Sequence, residues 1–259
     1  MKTLFFICIL TLMPFSAYTQ LNPQQNPDNQ ENYNPRMNLV KLNLTGLPLR
    51  NYAVQYERVL TKRISAAISY RNMPQGNLPL KSTILDIVGE DDTEAVDIVN
   101  NLKISNYAIT PEIRFYVGKK GYGRGFYLAP FVRIAGYEAS NFKFNYEDEN
   151  GTTQSISLSG DVNSTTFGLL LGAQWSLSKH VLLDWWILGP HGGNGKGDLI
   201  GISTRELSQY EQQEIRDALE ELDIPMIEKT VTVNSSGATM NTDGFWGGLR
   251  AGISIGIKF

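Results

Sequence analysis

Glu57, Glu112, Arg114, Arg133, Asp184 and Arg250 each stand among small or polar residues on one face of a segment whose other face is apolar. Three carboxylates and three guanidiniums in that setting can do one of two things. They can neutralise one another inside a closed structure, or they can line a polar path for ions. Arginine suits the first role, because one planar guanidinium satisfies several acceptors at once. An unpaired charge in a narrow interior would be costly. The sequence therefore predicts a salt-bridged plug, with a narrow channel as the alternative.

His191 offers a second chemistry. A neutral imidazole next to a nucleophile could serve as the general base of a lipid-modifying enzyme at a membrane surface, with Ser203, Asp198 or Glu206 as companions. No spacing singles one of them out, so no catalytic residue is assigned. The surrounding run, Gly189-Pro190-His191-Gly192-Gly193-Asn194-Gly195-Lys196-Gly197, fails as a phosphate loop. Its first glycine is one position too far from Gly195-Lys196, and Gly197 replaces the Ser or Thr that would hold Mg²⁺. The run reads as a glycine-rich exit from a strand.

Glu147-Asp148-Glu149-Asn150-Gly151 marks a hairpin tip and lacks a full calcium loop. Cys8 is the single cysteine, and the two histidines are His180 and His191. Disulfide frameworks, thiol catalysis and multi-histidine metal sites are therefore not expected. Neither a cofactor nor a metal is predicted. A formal charge of −3 over 259 residues argues against nucleic acid as a partner.

The elements that must position these residues follow from the chain's periodicity. Residues 1–19 (MKTLFFICILTLMPFSAYT) carry Lys2, an apolar run from Leu4 to Met13, and small residues at Ala17 and Thr19. That is a cleavable signal peptide, too short to span a bilayer as a helix. Residues 20–36 are rich in Asn, Gln and Pro and form a leader expected to be disordered.

From residue 37 onward, apolar and polar residues alternate with the period of a strand. The last segment is the clearest. Phe245, Gly247, Leu249, Ala251, Ile253, Ile255, Ile257 and Phe259 share one parity, and Arg250, Ser254 and Lys258 take the other. Seven earlier segments repeat the pattern, giving eight strands. Their links are expected near 46–50, 61–63, 74–102, 118–123, 145–154, 178–180 and 189–244. The second, fourth and sixth are short and basic, whereas the third and seventh are long.

Alternately short and long links are the habit of an up-and-down outer-membrane barrel. The predicted fold is an all-β, eight-stranded antiparallel transmembrane β-barrel over 37–259. Small residues crowd the polar face, as a narrow lumen requires, and aromatics such as Tyr52, Tyr107, Trp175 and Trp185 sit near strand ends. In the last link, Ser208-x-x-Glu211 is a capping box. It predicts a helix to about Leu222, with an apolar stripe of Ile215, Ala218, Leu219 and Leu222 that docks on the rim. The long links carry −5 (74–102) and −6 (189–244).

The terminal GISIGIKF, ending in Phe259, resembles the signal by which Gram-negative outer-membrane barrels engage the barrel-assembly machinery. The segments NYAVQYERVLTKRISAAISYR (51–71) and DWWILGPH (184–191) resemble an uncharacterised family of small exported barrels of the eight-stranded type. The resemblance implies the fold over 37–259 and no activity. Together these readings predict an outer-membrane protein in contact with outer-membrane lipid. Its role is expected to be structural or surface interaction, with a possible external partner at 74–102 and 189–244. A lipid-modifying enzyme and a narrow channel are the alternatives.

Overall fold

The structure, a computed structural model, describes residues 36–89, 92–222 and 225–259. The expected signal peptide (1–19) and the leader (20–36), apart from Arg36, lie outside the described residues.

Alternation sets the architecture. Strands β1 (Asn38–Asn43), β2 (Tyr52–Val59), β3 (Ile64–Asn77), β4 (Lys103–Tyr116), β5 (Gly125–Glu147), β6 (Thr153–Ser176) and β7 (Val181–Ile202) pair in sequence order. The last strand, β9 (Gly237–Lys258), pairs with β7 on one edge and with β1 on the other. Every pairing is antiparallel, and the β1–β9 contact closes eight strands into a ring. A further strand, β8 (Ile227–Asn234), lies outside the ring as a hairpin partner of the upper part of β9. We call the end with the short turns the lower end and the opposite one the upper end.

The long links hold more structure than the sequence reading assigned. The 74–102 link carries helices α1 (Lys81–Val88) and α2 (Thr93–Asn101). The expected loop at 189–244 contains the upper half of β7, helix α3 (Gln209–Glu221), β8 and the start of β9. The glycine-rich run 189–197 is therefore not a loop but part of a strand. Large neighbours occupy the volume that its side chains would have taken: a Cβ on Gly192 would lie 2.9 Å from the Phe245 ring, and one on Gly195 would lie 2.9 Å from the Cβ of Trp246. Aromatic cover of this kind lets glycine persist in strand interiors.

As a result β5, β6, β7 and β9, each 22–24 residues long, rise well above β1 and β2. Helix α3 docks on the face of this wall that continues the ring's interior. Ser208 and Glu211 form the anticipated capping box, and Lys229 donates to the Leu219, Glu220 and Leu222 carbonyls at the helix C-terminus. Ile215 and Leu219 pack with Tyr146, Ile156, Leu158 and Val233. The expected stripe is narrower than predicted, since Ala218 is half-buried and Leu222 exposed.

Candidate functional site

Inside the ring, side chains sort by height. At the lower end Leu39, Val59 and Leu182 make an apolar floor with Met37 and Tyr122 against it. Above it lies a cluster of charges drawn from five strands.

The carboxylates of Glu57, Glu112 and Asp184 are buried, and every one of their oxygens has a partner. Glu57 Oε1 accepts from Ser65 (2.6 Å) and Tyr116 (2.7 Å), and its Oε2 accepts from Lys41 and from Arg114 (3.1 Å). Asp184 Oδ1 accepts from Tyr127 (2.7 Å); its Oδ2 accepts from Lys41 (2.7 Å), Arg114 (2.7 Å) and the Trp186 indole (3.2 Å). Glu112 Oε1 accepts from Arg114 Nε (2.6 Å) and Gln55 (3.1 Å), and Oε2 accepts from Arg250.

Arg114 is the hub. Its nitrogens reach all three acids and, at 2.8 Å, Gln55, while its guanidinium carbon stands 4.4 Å above the Tyr127 ring. Three acids are thus matched by three cations, Lys41, Arg114 and Arg250. A buried ionic cluster is tolerable on that condition of full pairing.

The alternation predicts Arg133 as the third arginine partner of the acids and does not single out Lys41. The structure brings Glu57, Glu112, Arg114, Asp184 and Arg250 together, adds Lys41, and places Arg133 apart from the acids. Arg133 donates a long contact to Thr110 Oγ1, 3.4 Å, and meets the Tyr137 phenol rather than an acid. Lys41 was within reach of the same logic, because it alternates with Val40 and Leu42 just as Arg250 does with its neighbours.

Above the paired cluster the interior opens into a cavity of about 520 Å³. Arg71, Arg133, Arg250 and His191 face it, with Tyr137, Trp186 and Trp246 among its walls, and among the described residues no carboxylate lines it. Arg250 bridges the two levels: one amino group holds Glu112 and its guanidinium lies 4.0 Å over the Trp186 ring. Among the described residues neither Arg71 nor Arg133 pairs with an acid. The Tyr137 phenol sits beside both.

His191 faces inward because of an extra residue in β7. Between Trp186 and Gly189 the register with β9 slips by one, so the odd positions that point outward at Trp185 point inward from Gly189 on. The sequence-suggested companions do not join it. Asp198 lies on the opposite face, held by Asn241 at 2.6 Å, and Ser203 and Glu206 lie beyond the end of β7. Among the described residues no group of three or more His, Cys, Asp or Glu could hold a metal ion. Phe259 ends the chain at the lower rim, its backbone exchanging hydrogen bonds with Asn38.

At the turn between β5 and β6, the Asp148 carboxylate accepts from the Asn150 and Thr152 backbone amides, 2.9 Å each. In α3, the hydrogen bond from Arg205, seconded by the Ser208 amide, holds the Glu211 carboxyl below its usual value of 4.5.

The chain belongs to the family described as protein of unknown function, DUF3575, whose model matches residues 36–189. The matched span runs from β1 into β7 and includes the three interior acids together with Lys41, Arg71, Arg114 and Arg133. No curated protein matches the chain.

Proposed function

We propose that this chain is an eight-stranded outer-membrane β-barrel, plugged by the paired cluster, with a structural or surface-interaction role carried by its acidic upper loops. The observation behind this reading is the ring's outer face. Val54, Ile68, Ile109, Ile113, Ile134, Leu169, Trp185, Leu249 and Ile255 are all exposed large apolar side chains, and together they sample β2 to β9 around the ring. A soluble protein does not leave so broad an apolar belt in water.

The belt has the height a bilayer asks for. At about 3.3 Å per residue and a strand tilt of about 40°, the stretch from Phe245 to Ile257 rises about 30 Å. Above it the outer face turns polar: Phe167 gives way to Asn163 and Asp161 on β6, and Phe245 to Asp243 and Asn241 on β9. Tyr52, Tyr70 and Tyr107 mark one border and Phe115, Phe126 and Trp175 the other, as interfacial girdles do. Basic turns at Lys62-Arg63, Lys119-Lys120 and Lys179 would face the periplasm, and Phe259 would engage the assembly machinery.

Cell fractionation joined to unheated and boiled gel electrophoresis tests the reading. The chain should co-fractionate with the outer membrane and change mobility on boiling. Recovery as a detergent-free soluble monomer overturns it.

A further inference from the structure

The geometry points to the upper cavity as a binding site for a phosphate group. Four buried nitrogens on residues that line it have no hydrogen-bond partner among the described residues: Nε of Arg71, Nε of Arg133, Nη2 of Arg250 and Nδ1 of His191. They come from four strands, β3, β5, β9 and β7, so no local turn explains their meeting. Arg133 and Arg250 are each only 7% exposed. Buried guanidiniums without an acid are unfavourable unless an anion joins them, and the lining supplies none. A dianionic, multi-acceptor group is the natural complement of clustered guanidinium forks.

The cavity also has a side entrance. Strand β1 pairs with β9 only from Leu39–Lys258 to Asn43–Ser254. The ladder finishes at Leu44 and Thr45, which reach Ile253, after which the chain turns away through Gly46–Asn51. From Trp246 to Ala251 the β1-facing edge of β9 has no paired strand among the described residues, and these six residues line the cavity. Leu49 (39% exposed) and Leu249 (45% exposed) flank this gap. An apolar-rimmed slot that leads to a cationic pocket fits an amphiphile: a phosphate head inside and a hydrocarbon chain outside. An uncovered strand edge at this level also calls for a polar occupant.

The phosphate site stands on the interior geometry alone. Only its supply from lipid rests on the membrane reading, which fractionation tests separately.

The experiment titrates the purified, refolded full chain in neutral dodecyl maltoside micelles. Trp186 and Trp246, which line the cavity, serve as fluorescence reporters. The probes are inorganic phosphate and dodecyl phosphate, with dodecyl sulfobetaine as a head-group control. Saturable binding of dodecyl phosphate at least tenfold tighter than inorganic phosphate supports a lipid head group. Equal affinity supports the same site with a free phosphate as its occupant. In either case Arg71→Gln with Arg133→Gln should weaken phosphate binding at least tenfold, and Arg133→Lys should weaken it less. Heat-modifiable mobility verifies that each variant is folded, and Arg71→Gln alone, which alters the less buried arginine, guards against loss of folding in the pair. Overturning results are no phosphate-dependent signal in the wild type, equal response to the sulfobetaine, or unchanged affinity in folded arginine variants.

Discussion

The two levels of the ring's interior hold similar residues under opposite rules. In the lower cluster, Arg114 donates to three acids and each carboxylate oxygen has a donor. Higher in the ring, on the intervening strands β3 and β5, Arg71 and Arg133 face a cavity that no acid lines among the described residues. The same side chain thus acts as structural cement in one place and as an unspent donor in the other. What separates them is not composition but height along the strand axis. Parity decides that a residue points inward; register decides whom it meets.

The sharpest break of this comparison is Arg114→Met. It leaves Glu57, Glu112 and Asp184 short of a partner at full burial, a loss of about 3–5 kcal/mol. Urea unfolding in lipid vesicles should report it, and Glu112→Gln added to the variant should recover part, because one uncompensated charge goes with it. Stability equal to wild type would mean that the cluster is wet and the comparison false.

Arg133→Met should move the other way. With phosphate absent, replacing a buried cation that has no acidic partner among the described residues by an apolar side chain should leave stability unchanged or raise it by roughly 1–2 kcal/mol. A loss as large as that of Arg114→Met would show that Arg133 has a hidden structural partner, and the two levels would then obey one rule.

The smallest effect lies outside the ring and serves as a contrast. Because the Glu211 carboxyl is held below 4.5 in the folded chain, its contribution is complete above that value. It fades as the pH falls through the lower folded value. Acidification below about pH 4.5 should therefore raise amide exchange in α3, while boiled and unheated gel mobilities stay distinct. Simultaneous loss of both would tie the helix to the ring more tightly than its packing indicates.

Much of this was legible in the sequence, and the misses have physical causes. Two-residue alternation placed Glu57, Glu112, Asp184, Arg114 and Arg250 inward, and the capping box placed α3 to within a residue. Alternation is blind to axial height, so it grouped Arg133 with acids that sit below it. Lys41 and Arg71 share the inward parity, but parity alone does not say which inward charges meet the acids. The register slip in β7 inverted the faces beyond Trp186, so the position of His191 could not follow from counting. The glycine run suggested a loop because its support, Phe245 and Trp246, comes from a strand half a hundred residues away in sequence.

The seam between β1 and β9 carries one further consequence. It runs only from Leu39 to Asn43 on the β1 side, whereas the neighbouring β7–β9 ladder extends through most of two 22-residue strands. The β1–β2 ladder is as short, five pairs from Asn38 to Leu42, so tension along the ring's circumference is resisted least on the two sides of β1. Mechanically, the closed sheet behaves as a long ribbon fastened by a short clasp. Under load the clasp gives way before any of the longer ladders, and the first segment to peel free is the one that carries Lys41.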